Sequence, residues 1–181
     1  MRITKEDSTG LIIDVQQKLY PFIHENEELT NNICRLTNGL KELNIPIIVT
    51  EQYSKGLGNT IIQIQETLGD EYKHLEKMSF SCCGLDEFNT KLKDSGKKNV
   101  IVAGIESHVC VLQTVIDLFE KGYQPVLVED CVSSRNPNDK KISIERMRNE
   151  GAIITTYESI LFELLAVSGT KEFKAISKIV K

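Results

Sequence analysis

Short unbroken apolar runs, separated by longer stretches of helical period, set the strongest limit on how this chain can fold. Leu11-Ile12-Ile13, Ile45 to Val49, Val100 to Ala103 and Pro125 to Val128 read as buried strands, and a weaker run, Ala152 to Thr155, follows Gly151. Between them Leu29, Ile33, Leu36, Leu40 and Leu43, then Phe88 and Leu92, then Ile142, Ile144 and Met147 recur at the spacing of a helix face. Strands apolar on both faces need helices on both sides. With right-handed crossovers this predicts an α/β, three-layer, doubly wound fold with a mainly parallel sheet. Pro46 and Pro125 stand near the starts of their runs, where a missing N–H is tolerated.

A chain of 181 residues without repeats or a Pro/Ser-rich linker fits one domain, residues 1–181, able to bury a sizeable core. Lys+Arg 22 against Asp+Glu 26 leaves a formal net charge of -4. With no basic block or aromatic stripe, nucleic acid is not an expected partner, and a small-molecule ligand is. No apolar stretch approaches the ~20 residues that span a bilayer, so no membrane partner is expected. The five cysteines are odd in number and lack metal-type spacing, and the start Met1-Arg2-Ile3-Thr4-Lys5 has no apolar core of a signal peptide. A reducing cytoplasm is the expected address.

Chemistry is expected at the carboxyl ends of the strands. Cys110 lies in Gly104-Ile105-Glu106-Ser107-His108-Val109-Cys110-Val111, after one apolar run and before a helical pattern whose sheet-facing side reads as Val109, Leu112, Ile116 and Phe119. At a helix start, a thiol is expected to ionise more readily than free cysteine. Asp14 follows the first strand, and Lys77 ends His74-Leu75-Glu76-Lys77, a further short strand. A base and a cation beside a thiol are the parts nucleophilic catalysis needs; each residue alone also reads as a helix cap, a surface cation or an inert buried thiol. The segment from Gln52 to Lys77 carries the Gly56-x-Gly58 pair, too sparse for a nucleotide-binding motif, and reads as a mobile loop over the site or a surface turn.

Together Asp14-Val15-Gln16, Glu76-Lys77 with Phe80 behind, and Gly104 to Val111 resemble the isochorismatase-like cysteine hydrolase superfamily. Thr50-Glu51-Gln52-Tyr53-Ser54-Lys55-Gly56-Leu57-Gly58 looks most like its isochorismatase domain-containing proteins. The resemblance implies the isochorismatase-like hydrolase fold, an Asp14-Lys77-Cys110 triad, a cis Ile105–Glu106 peptide, an oxyanion hole from the backbone N–H groups of Glu106 and Cys110, and no cofactor. It implies a homo-oligomer as well, to which the apolar segment Leu161 to Val167, extended by Phe173 and Ile176, adds a reason of its own. Metal-dependent relatives carry Asp-x-His where this chain has Glu51-Gln52-Tyr53, so no metal site is expected. Absence of Trp, and Leu19 near an expected phenylalanine, make nicotinamide a poor substrate; the presence of Cys110 argues against isochorismate itself.

The implied activity is metal-independent hydrolysis of a small amide or related C–N bond through a thioester on Cys110. Gln16, Leu19, Tyr53, Phe80 and His108 are the expected substrate-lining residues. His108 reads as a rim or structural residue, Cys82 and Cys83 as reduced thiols, and the Glu106 carboxylate as a group that narrows the pocket or repels anions. Two rivals stay open: a non-catalytic scaffold or regulatory protein that retains the hydrolase fold, and a redox-sensing thiol with Cys82 or Cys131 as resolving partner.

Overall fold

Ser8–Ile13 forms β1, and it is buried at every position, its polar Ser8 and Thr9 included. Their hydroxyls donate to the carbonyls of Thr4 and Pro46, so the strand starts ahead of its apolar run at little cost. The structure, a computed structural model, describes residues 2–181. β2 (Ile47–Gln52), β3 (His74–Lys77), β4 (Asn99–Ile105), β5 (Gln124–Ser133) and β6 (Ile153–Thr155) join β1 in a six-stranded sheet ordered β3-β2-β1-β4-β5-β6. All neighbours run parallel.

Side chains alternate across this sheet into two cores. Ile101, Ala103 and Ile105 of β4, with Val126 and Val128 of β5, face one layer; Val100, Val102 and Leu127 face the other. The helices α1 (Asn26–Glu42), α3 (Ile62–Leu68), α7 (Tyr157–Leu165) and α8 (Lys171–Ile179) bring Ile33, Leu36, Ile64, Leu161 and Ile176 to the first core, while α2 (Ser54–Leu57) is a short turn. On the second lie α4 (Asp86–Ser95), α5 (Leu112–Glu120) and α6 (Pro137–Asn149), with Phe88, Leu92, Val115, Leu118 and Met147. The fold is three-layer α/β/α. Ile142, expected on the inner face of α6, is exposed.

The buried face of α5 differs from its sequence pattern. Val111, Val115 and Leu118 are fully buried, whereas Val109, Leu112, Ile116 and Phe119 are half-buried. A π-helical turn at Ser107–Val111 precedes α5; its wider turn shifts the phase of the helix against a count begun at Val109.

The chain runs outward from β1 to β3, then returns to place β4 on the other side of β1. This reversal opens a crevice at the carboxyl ends of β1 and β4. Gly104 makes the close approach there possible: at φ 125°, a Cβ on it would lie 2.2 Å from the carbonyl oxygen of Ile13.

Candidate active site

Asp14 leaves β1 in the left-handed backbone region, φ 52°, and Tyr53 leaves β2 likewise, φ 41°. Non-glycine residues take this conformation at a cost of about 1–3 kcal/mol, carried here by the surrounding packing. The Asp14 turn delivers its carboxylate to the crevice at 1% exposure. There Oδ2 accepts from Lys77 Nζ at 2.6 Å and Oδ1 accepts from Thr50 Oγ1 at 2.8 Å. Lys77, 2% exposed, also donates to the carbonyl oxygens of Phe80 at 2.9 Å and Ser79 at 3.1 Å. A buried ammonium needs such a set of acceptors, because its desolvation is not offset by one partner alone.

Cys110 joins this pair from the π-helical turn. Its thiol donates to Gln52 Oε1 at 3.1 Å, and the same oxygen lies 3.3 Å from Lys77 Nζ. The expectation of a readily ionised thiol is reversed here. Burial pushes Cys110 well above the ordinary cysteine range, and the charge of Asp14 pushes further, with Lys77 only partly opposing. The turn, not the first residues of α5, holds the sulfur, and at 7% exposure water does not stabilise a thiolate.

The Ile105–Glu106 peptide is cis, and the Glu106 N–H makes no hydrogen bond among the described residues. The Glu106 carboxylate accepts from Arg135 Nε at 3.0 Å and from Arg135 N at 3.2 Å, so its charge is paired.

Other expected lining residues separate by position. Gln16 is fully buried, and its amide is committed to backbone: Nε2 donates to the carbonyls of Gly58 and Gln52, and Oε1 accepts from Gln52 N. It is a clamp between strand ends, not a pocket wall. Leu19 packs against the α1 core. Tyr53 and Phe80 are about half exposed and are tied to Lys77 through backbone, by Tyr53 N donating to Lys77 O and by the Phe80 carbonyl. His108 Nδ1 pairs with Ser134 Oγ at 2.9 Å.

The segment after β2 is strapped down. Gln17 N and Lys18 N donate to Asn59 O and Leu57 O, Ile61 N donates to Val15 O, and Glu51 anchors the rest from below. The Glu51 carboxylate, fully buried, accepts from Thr60 N, Thr60 Oγ1, Tyr72 OH and Ser54 Oγ. Burial pushes its pKa up, but these donors and nearby His74 win and hold it below the usual range. With both oxygens so occupied, Glu51 is not placed as a metal ligand.

Sequence reasoning missed Gln52 and Thr50. Both sit at the carboxyl end of β2, where the rule that pointed to Asp14 applies equally. It also missed how near Cys82 comes: its sulfur is 3.7 Å from Thr50 Oγ1, and Thr114 Oγ1 bridges Cys82 N and Cys110 O. A surface concavity of about 310 Å³, lined by Glu129, Lys140, Ile144 and Arg148 among others, sits over β5 and α6, away from these residues. The strand-end chemistry, not concavity, locates the candidate site.

A parallel sheet with a buried carboxylate–ammonium pair and a thiol at its switch point defines an isochorismatase-like hydrolase fold. The isochorismatase domain matches residues 8–159, and the chain belongs to that family. It is 40% identical to isochorismatase family protein 1B of Dictyostelium discoideum, over 99% of this chain and 89% of that protein. The structure of the MAR1 ribonuclease of Caenorhabditis elegans superposes with a TM-score of 0.94 at 38% identity, covering 99% of this chain and 92% of that one. The YcaC gene product of Escherichia coli, described as an octameric hydrolase of unknown specificity, shares the fold with a TM-score of 0.92 at 23% identity, covering 99% and 89%.

Proposed function

We propose that the chain is a metal-independent cysteine hydrolase of a small amide or related C–N bond, with Asp14, Lys77 and Cys110 as its triad. Support comes from the meeting of three residues from separate strand ends: a 2.6 Å Lys77–Asp14 pair, and a thiol whose proton Asp14 is positioned to influence. Since the thiol rests neutral, attack is coupled to proton transfer. Asp14 takes the Sγ proton as the sulfur bonds to the carbonyl carbon, and the oxyanion that forms is held by the N–H groups of Glu106 and Cys110, with Lys77 adding positive charge. Collapse breaks the C–N bond as Asp14 returns the proton to the leaving amine. Asp14 then deprotonates water, which attacks the thioester, releases the acid and restores the thiol.

A thiol residue at 7% exposure suits small substrates. The ribonuclease name of the C. elegans neighbour does not transfer on these grounds: RNA cleavage calls for a phosphate-binding surface, and this chain has a formal net charge of -4 with no basic block. We also infer a homo-oligomer. Phe22 at 69%, Met78 at 70% and Phe80 at 52% exposure leave apolar surface uncovered, the last two just after Lys77 in the chain.

A screen of small amides, ureides and carbamoyl compounds with ammonia detection tests the activity. Ammonia release that disappears in Cys110→Ala supports it; release that persists in that variant removes Cys110 as nucleophile. An aldehyde analogue that labels Cys110 without any turnover favours the scaffold role.

A further inference from the structure

Gln52 has every polar group engaged around the thiol. Its backbone N–H and C=O are gripped by Gln16 at 2.8 and 3.0 Å. Its side-chain Nε2 donates to Met78 O at 3.3 Å, which orients the amide so that Oε1 faces the site. That oxygen has two lone pairs, and two donors meet it: the Cys110 thiol at 3.1 Å and the Lys77 ammonium at 3.3 Å. Lys77 has three N–H bonds and four acceptors in reach, of which Gln52 is the most distant. The thiol is therefore the partner that depends most on Gln52.

We propose that Gln52 is the positioning residue of the nucleophile, holding the Cys110 S–H toward the end of β2, with Asp14 near enough to take the proton when substrate enters. This rests on Cys110 being the attacking thiol. Asp14 already accepts from Lys77 and Thr50, while the thiol's 3.1 Å hydrogen bond goes to the neutral amide. A hydrogen bond accepted from S–H favours the protonated form. Attack then requires rotation about the Cys110 Cβ–Sγ bond, which turns the proton from Gln52 Oε1 to Asp14. An amide fits this task where a carboxylate would not: it accepts the proton's hydrogen bond without adding a second negative charge beside Asp14. The Gln16 clamp fixes the main chain from which the amide hangs.

The test measures the rate of Cys110 alkylation by iodoacetamide in the intact protein at pH 8, by peptide mass, in wild type, Gln52→Glu and Gln52→Met. Below the thiol pKa this rate follows the thiolate fraction. Gln52→Glu keeps the shape and adds a like charge, so the rate should fall by about tenfold. Gln52→Met removes the acceptor at similar length, so the rate should rise roughly two- to tenfold. A purely structural disturbance would move both variants the same way. Equal rates, or shifts of one sign, overturn the proposal; should one variant fold poorly by circular dichroism, the other's sign decides alone. Cys110→Ala, assayed for ammonia release, reports on the hydrolase reading separately, since alkylation does not require a substrate.

Discussion

Asp14 and Lys77 form a buried pair in which each charge makes the other tolerable. Asp14→Asn should lower turnover by about 10²–10⁴-fold by removing the base. It should also destabilise the protein by about 3 kcal/mol, because the Lys77 ammonium stays buried without its counter-charge. Ammonia assays and urea unfolding check the two effects. The buried thiols predict the alkaline limb of stability: burial pushes Cys82 up to about 11 and Cys83 up to about 12, and raises Cys110 and Cys131 as well. The folded chain keeps protons that the unfolded chain releases near the ordinary thiol pKa of about 8.5, so stability is full below that pH and falls above it. Glu51 works in the opposite sense. Its folded pKa is lowered, so its contribution is present above the ordinary carboxylate range and is lost as pH falls through the folded value. Urea midpoints from acid to alkaline pH should trace a dome; a flat alkaline limb would contradict the thiol burial.

At the scale of elements, the site depends on how β1, β2 and β4 end together. Gly104→Ala puts a methyl 2.2 Å from Ile13 O, where neither backbone can give way, so a loss above about 3 kcal/mol is expected in thermal or urea unfolding. Gln16→Leu leaves Gln52 N–H and the carbonyls of Gln52 and Gly58 without partners, at about 1–3 kcal/mol for each group that water does not reach. Its signature is local. Hydrogen exchange should speed up over residues 52–60 before the β4 amides change; uniform loss across the sheet would show that Gln16 supports the whole core instead.

For the whole molecule, α7 buries one part of the apolar surface that its sequence brings and leaves another part outside. Ile160, Leu161 and Leu164 are buried within the chain, and Phe162 packs on Phe173 with ring centroids 6.4 Å apart. Leu165 and Phe173 stay half-buried and Val167 is 61% exposed, so this segment keeps an apolar reason for assembly, beside the exposed Phe22, Met78 and Phe80. Light scattering at micromolar protein should give a multiple of 20.4 kDa. A monomer mass would remove the oligomer and any part for a second copy in covering these residues. No helix among the described residues is long and apolar enough to cross a membrane.

The class of fold and the position of Asp14, Lys77 and Cys110 at the carboxyl ends of strands were legible in the chain itself. Continuous apolar runs force strands to be covered on both faces, and a residue just past such a run must emerge at the sheet's carboxyl edge. Local pattern carries that much because burial and periodicity act along the chain. The turns and partners were different. The phase of α5 followed from a π turn, Gln16 became a clamp, Glu106 paired with Arg135, and Gln52 met the thiol from a strand far away in sequence. Most of all, the protonation preference of Cys110 belonged to the tertiary structure. A helix start seen in sequence favours a thiolate, whereas folding removed water from the sulfur and set the Asp14 charge beside it, and desolvation with like charge outweighed the nearby Lys77.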